Sequence, residues 1–145
     1  MQIFSSLNIS ASGMTAQRLR LDLIANNLAN VNTTRTEGGG PYQRQIPLFA
    51  AKKEASSLSN FRNNYFYPIG SGVRVVGIVK DPTPAKVVYD PQHPDAGPDG
   101  YVAMPNVNVV MEMTDLISAS RAYEANVTAF NAGKTMAIQA LEIGR

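Results

Sequence analysis

Two stretches of this 145-residue chain carry apolar side chains at alternating four- and three-residue spacing, one on each side of a long middle that lacks the pattern. In residues 3–31 the stripe runs Ile3, Leu7, Ser10, Met14, Gln17, Leu21, Ile24, Leu28, Val31, and only Ser10 and Gln17 break it. In residues 109–141 it runs Val109, Met113, Leu116, Ser120, Tyr123, Val127, Phe130, Lys134, Ala137, Leu141. This spacing gathers side chains into one seam and turns the seam toward a partner helix. Two long amphipathic helices flanking a different body can fold back and pair. They can also offer the same faces to neighbouring copies, so the pattern predicts assembly rather than chemistry.

The first helix is predicted to start within residues 5–8 and to run to about Asn30. Gly13 weakens it locally, by about 1 kcal/mol relative to Ala. Arg18 and Asp22 stand four apart, where a weak ion pair can form. The run Asn26-Asn27-Leu28-Ala29-Asn30-Val31-Asn32 ends it, because Asn competes for the backbone and favours fraying or capping. The second helix is predicted to start after Pro105 with Asn106 or Asn108 as its N-cap. Glu112 and Asp115 then fall in the early turns, where the helix dipole favours acids. Ala119, Ala122, Ala125, Ala129, Ala132 and Ala140 line this helix and allow close approach on more than one side. Gln17 and Lys134 are polar residues within the seams, where they can fix register. The stem of Lys134 can instead lie along the apolar surface.

Between the helices, residues 42–49 alternate loosely and predict a short edge strand, since Pro47 is excluded from a central position. Residues 52–64 are polar, and Tyr65-Phe66-Tyr67-Pro68 are expected to pack beneath a loop, with a docking patch as the alternative. Residues 72–80 form the clearest strand, rich in β-branched side chains. Asp81-Pro82-Thr83-Pro84 is a turn, and 85–89 is expected to return along 72–80 as a hairpin. Residues 90–100 are dense in Pro, Gly and Asp and predict an irregular crossing segment. The fold class is therefore α+β, with long N- and C-terminal helices packed as an antiparallel coiled-coil-like arm and a small, mostly β middle containing a hairpin. The expected divisions are an N-terminal helical arm over 1–34, a β-rich middle over 35–105 and a C-terminal helical arm over 106–145.

Composition narrows the chemistry. The chain has no cysteine, which removes disulfides, thiolate metal sites and cysteine nucleophiles. Its single histidine, His93, has no second histidine to share a metal and no Gly-x-Ser-x-Gly elbow to serve. Asp90, Asp95 and Asp99 lack the alternating ligands and bidentate Glu of a calcium loop. Gly38-Gly39-Gly40 follows no strand and is not followed by Gly-Lys-Ser/Thr, so a phosphate cradle is not indicated. No catalytic residue, metal site, cofactor or small-molecule substrate is expected. The net charge of +2 hides a basic first part, about +6 through Lys80, and an acidic remainder of about −4. Opposite signs can steer one copy onto another. The basic residues are too dispersed for nucleic acid. No membrane-spanning run and no cleavable secretory signal is visible.

The segment 11–18 (Ala-Ser-Gly-Met-Thr-Ala-Gln-Arg) with 25–34 (Ala-Asn-Asn-Leu-Ala-Asn-Val-Asn-Thr-Thr) resembles the N-terminal signature of the flagellar rod and hook axial proteins. Residues 106–113 with 120–126 resemble that family's second signature. Gly38-Gly39-Gly40-Pro41-Tyr42, Gly72-Val73-Arg74-Val75 and Asp90-Pro91, with the short length, narrow the resemblance to its proximal-rod members. The resemblance implies a structural subunit of the bacterial flagellar basal-body rod, in the periplasm. It implies helical assembly through the terminal helices, transmission of torque from rotor to hook, and type III export without a cleaved signal. The partners implied are further copies, other rod proteins, components at the rotor ring and export gate, and the export apparatus. The expected assembly interface comprises Leu7, Met14, Leu21, Ile24, Leu28 and Val31 in the first arm. In the second it comprises Met113, Leu116, Tyr123, Val127, Phe130 and Leu141. A distal-rod or hook-type axial protein, or an unrelated coiled-coil adaptor, would share the helical ends without the full set of motifs.

Overall fold

A computed structural model of the chain describes residues 2–52 and 70–143. The side chain of Ile3, most of the polar stretch 52–64 and the aromatic run 65–68 lie outside the described residues. The elements are α1 (Gln2–Ala29), β1 (Gln45–Ala51), β2 (Val73–Lys80), β3 (Lys86–Tyr89), β4 (Tyr101–Met104) and α2 (Val109–Ile143). The chain divides into two compact units. One gathers Met1–Arg18, Leu48–Gly77 and Ser120–Arg145, and the other Leu19–Pro47 and Ile78–Ala119. The architecture is α+β, as the helical stripes and the β-branched middle predict.

In the first unit the two helices run antiparallel with little between them. A Cβ on Gly13 would stand 2.6 Å from Asn126 Oδ1, and one on Gly133 3.1 Å from Leu7 Cδ2. Gly13 is thus the point of close helix approach, which explains a residue that costs helix propensity. Ser12 ties the strands to α1, its hydroxyl donating to Ile9 O at 2.7 Å and accepting from Val73 N at 3.1 Å. Gly72 lies against Ser12 with φ +96, a conformation and a closeness that only glycine allows. Ala16 is buried here, and Gln17 Oε1 is buried with no hydrogen-bond partner among the described residues.

In the second unit the buried apolar side chains are Leu23, Ile24, Val102 and Ala119. The end of α1 is capped by its own asparagines. Asn30 Nδ2 donates at 2.9 Å to Asn26 O, which also accepts from Asn30 N at 3.1 Å, so the side chain reinforces the last helical bond. Asn108 is the N-cap of α2, its Oδ1 accepting from Val110 N at 3.0 Å and Met111 N at 3.4 Å.

The strand pairing corrects the expected hairpin. β2 pairs with β1, not with β3. β3 pairs antiparallel with β4, in the register Val87 to Ala103 and Tyr89 to Tyr101. The cause lies in 81–85. The amide of Asp81 donates back to Arg44 O at 2.8 Å, while its carboxylate takes the Thr83 amide at 3.0 Å and hydroxyl at 2.6 Å. Pro82 and Pro84 supply no amide donor for a return ladder. Asn106 then holds the segment, Nδ2 donating to Asp81 O at 3.3 Å and Thr83 O at 2.9 Å. Residues 90–100 are therefore not a crossing segment. They are the loop of the β3–β4 hairpin, folded by successive turns from Asp90 N to Gly100 O (3.0 Å) through Gly97 N to Tyr101 O (3.0 Å).

Candidate assembly surfaces

Within the second unit, a buried polar cluster fastens the chain around residues 42–45 to both helices. Glu112 is fully buried, at 0% exposure, and Asn27 is at 1%. Glu112 Oε1 accepts from Arg44 Nε at 2.5 Å and its Oε2 from Asn27 Nδ2 at 3.2 Å. Asn27 is saturated. Its Nδ2 also donates to Gln45 O at 3.0 Å, and its Oδ1 accepts from Tyr42 Oη and Gln45 N, both at 2.9 Å. Arg44 reaches Asp81 at 3.4 Å and Asp115 at 3.3 Å, and Asp115 is also held by Arg20 at 2.9 Å. A buried charge persists only when its hydrogen bonds are met, and here both oxygens of Glu112 are.

The cluster sets the titration of its members. Burial opposes the charge of Arg44, but the bonds and charges of Glu112 and Asp81 outweigh it and raise the guanidinium pKa. Asp81 is held below the ordinary carboxylate value, first by the Thr83 hydroxyl and amide and then by Arg44. Tyr42 is pushed up by burial and by the nearby charge of Glu112.

The expected interface residues fall into two groups. Ile24 is buried, and Leu7, Met14, Leu21, Leu28, Val31, Leu116, Tyr123, Val127 and Phe130 are half-buried. Met113 and Leu141 are exposed. Val31 lies just past α1, in a turn. The inward side of α2 also differs from the apolar stripe. Its most enclosed positions include Glu112, Ala119 and Gly133, each seven residues from the next along a row that passes through half-buried Asn126. Lys134, beside Gly133, is exposed. Small and polar residues hold this row, so apolar spacing alone missed it. The seven-residue recurrence of Glu, Ala, Asn and Gly was the available signal.

Large apolar side chains remain in water on several elements. They include Phe4 of α1, Val110, Met111 and Ile117 early in α2, and Met136, Ile138 and Ile143 late in it. No helix is long and apolar enough to cross a membrane among the described residues. Among them, too, no group of three His, Asp or Glu could hold a metal. His93 Nδ1 accepts the Asp95 amide at 3.1 Å, Asp90 takes the Gln92 amide at 3.1 Å and Asp95 the Thr34 hydroxyl at 2.7 Å. The three-glycine loop turns on itself, with Thr36 N donating to Gly40 O at 2.9 Å and Gly39 N to Thr36 O at 2.9 Å.

Paired helices that leave large apolar side chains in water, and a middle region fastened by a buried polar cluster, are features of a structural subunit of a larger assembly. The family model for flagella basal body rod protein matches residues 7–35. The model for the flagellar basal body rod FlgEFG protein C-terminal region matches 99–143. The chain is 50% identical to the flagellar basal-body rod protein FlgC of Borreliella burgdorferi, over 99% of this chain and 98% of that one. It is 47% identical to the FlgC of Bacillus subtilis and 35% identical to that of Escherichia coli O6:H1, each over 100% of both chains. The chain belongs to the FlgC family of flagellar basal-body rod proteins. It is a structural subunit of the basal-body rod.

Proposed function

We propose that this subunit assembles helically, through α1 and α2, with copies of itself and with other rod proteins, and that the packed helices carry torque from rotor to hook. In this reading the arms 1–34 and 106–145 form the assembling part and 35–105 the outer body. Components at the rotor ring and export gate are its neighbours at the base, and the type III export apparatus delivers it. One observation carries the proposal. α2 keeps large apolar side chains in water along its length, including Val110, Ile117, Met136 and Leu141. Large apolar side chains left in water on several faces of one helix are covered when neighbours pack around it, as in a helically assembled subunit. Close-packed helices deform little and so transmit force.

Leu21, Leu28 and Val127 supply the test. Each is half-buried, and a carboxylate there would be desolvated by any helix packed upon it. Leu21→Asp, Leu28→Asp and Val127→Asp are expected to leave export running and to abolish rods and motility. Secretion assays with electron microscopy of basal bodies read both steps. Normal swimming of the Leu21→Asp strain would overturn the proposal.

A further inference from the structure

We propose that the outward face of the β3–β4 hairpin is a docking surface for strand β2 of a second copy of this chain. The inference rests on the rod reading above and adds to it a contact made by the β body rather than by the helices.

The hairpin has two faces. Alternate residues share a face, so Lys86, Val88, Val102 and Met104 form one row, and Val102 is buried at 1% exposure. The other row is Val87, Tyr89, Tyr101 and Ala103, and it faces water. Val87 and Tyr89 are each 64% exposed. Tyr89 and Tyr101 meet edge to face, with ring centroids 5.2 Å apart. The pair is a preformed aromatic shelf that costs little to order. Next to it, the 90–100 loop carries Asp90, Asp95 and Asp99 and no Lys or Arg. The patch is therefore apolar with an acidic margin at the loop end, and exposed Lys86 stands at its other end.

The same chain carries the complement. In β2 the alternate residues Arg74, Val76, Ile78 and Lys80 are all exposed. They put an apolar pair between two cations, with no acid within the strand. Neither Arg74 nor Lys80 has an ion pair among the described residues. Residues two apart on a strand stand roughly 7 Å apart, so the spacing of Val76 and Ile78 matches that of Val87 and Tyr89. With Val76 over Val87 and Ile78 over Tyr89, Lys80 falls at the acidic loop beside Asp99. An apolar centre and an opposite charge at the loop margin match the two patches, and the direction that sets Lys80 rather than Arg74 at Asp99 is the one the charge exchange below tests.

The two patches differ, so the contact is head-to-tail and repeats from copy to copy without being its own mirror. Four side chains on each side bury well under the roughly 1,000 Å² that a specific stable interface needs. The contact therefore forms in assembled rods and not between free chains.

The absence of cysteine gives a clean background for the test. Val76→Cys and Tyr89→Cys chains carrying different tags are produced together in flagellated cells, and isolated basal bodies are treated with a short bismaleimide. The expected result is a covalent dimer joining a Val76→Cys chain to a Tyr89→Cys chain, with no Tyr89→Cys homodimer. Basal bodies that contain both chains but yield no mixed dimer overturn the inference and leave the rod reading intact. Absence of the unmodified chain from basal bodies overturns both. Charge exchange tests the same contact where a cysteine variant fails to assemble. Lys80→Glu and Asp99→Lys are each expected to reduce swimming, and the double variant to restore it. A double variant no better than the worse single one overturns the inference.

Discussion

Glu112 carries a charge into a site closed to water and keeps it there with Arg44 and Asn27. Glu112→Leu would leave Asn27 with an unmet donor and Arg44 with two weaker partners. The loss expected in urea unfolding is about 3 kcal/mol, the low end for breaking a buried pair, because Arg44 keeps Asp81 and Asp115. Glu112→Gln, which retains an acceptor, is expected to lose less, and a Leu variant as stable as the parent would reject the role. Asp81 sets a pH dependence. Its folded pKa lies below the value of 3.8 it has when unfolded. Its contribution is then complete above that value and is lost as pH falls through the lowered folded value. Thermal melts from pH 7 to pH 2 should show an acid-side decline that is shallower in Asp81→Asn. In the sequence, Glu112 reads as an acid in the first turns of α2 that meets the helix dipole. That a loop arginine 68 residues away would reach it depends on tertiary placement, which no local pattern records.

At the scale of elements, the helices were legible because their signal is repeated over many turns. The observed α1 starts a few residues earlier than expected and stops one residue short of Asn30. The sheet was less legible. Strand 101–104 is four residues long and follows a dense run of turn formers, so alternation had no length in which to show. β2 and 85–89 were close in sequence and both β-branched, which suggested a hairpin. The prolines and Asn106 settle the matter against it through long-range bonds. The two asparagines offered as N-caps take separate tasks. Asn108 caps α2, and Asn106 accepts from Arg44 N at 2.8 Å while holding 81–83. Asn108→Ala is expected to cost about 1 kcal/mol, as for an ordinary cap. Asn106→Ala should cost more, since it leaves one backbone amide and two carbonyls to find new partners. Equal losses in paired denaturation curves would mean that Asn106 does no more than end a loop.

For the molecule as a whole, the contrast between polar fastening and uncovered apolar surface makes a prediction about the unassembled chain. Glu112 is enclosed and hydrogen-bonded in three directions, by Asn27, by Arg44 and through the helix. The far end of α2 has nothing comparable. From Lys134 to Ile143 every described side chain except half-buried Ala137 is exposed, and Ile143 is 87% exposed. The last turn carries no basic residue to meet its carbonyls. Local opening costs least where buried contacts are few, so backbone amides at 138–143 should exchange about a hundredfold faster than those at 112–119 in the free chain. Assembly should reverse this. Packing neighbours onto Ile138, Leu141 and Ile143 removes both the exposed apolar surface and the freedom to fray, and the exchange of these amides should slow to that of 112–119 in isolated rods. Hydrogen exchange by mass spectrometry on the free and assembled chain compares the two. Slow exchange at 138–143 before assembly would show that α2 is already complete alone, and that its uncovered side chains are not held in reserve for neighbours.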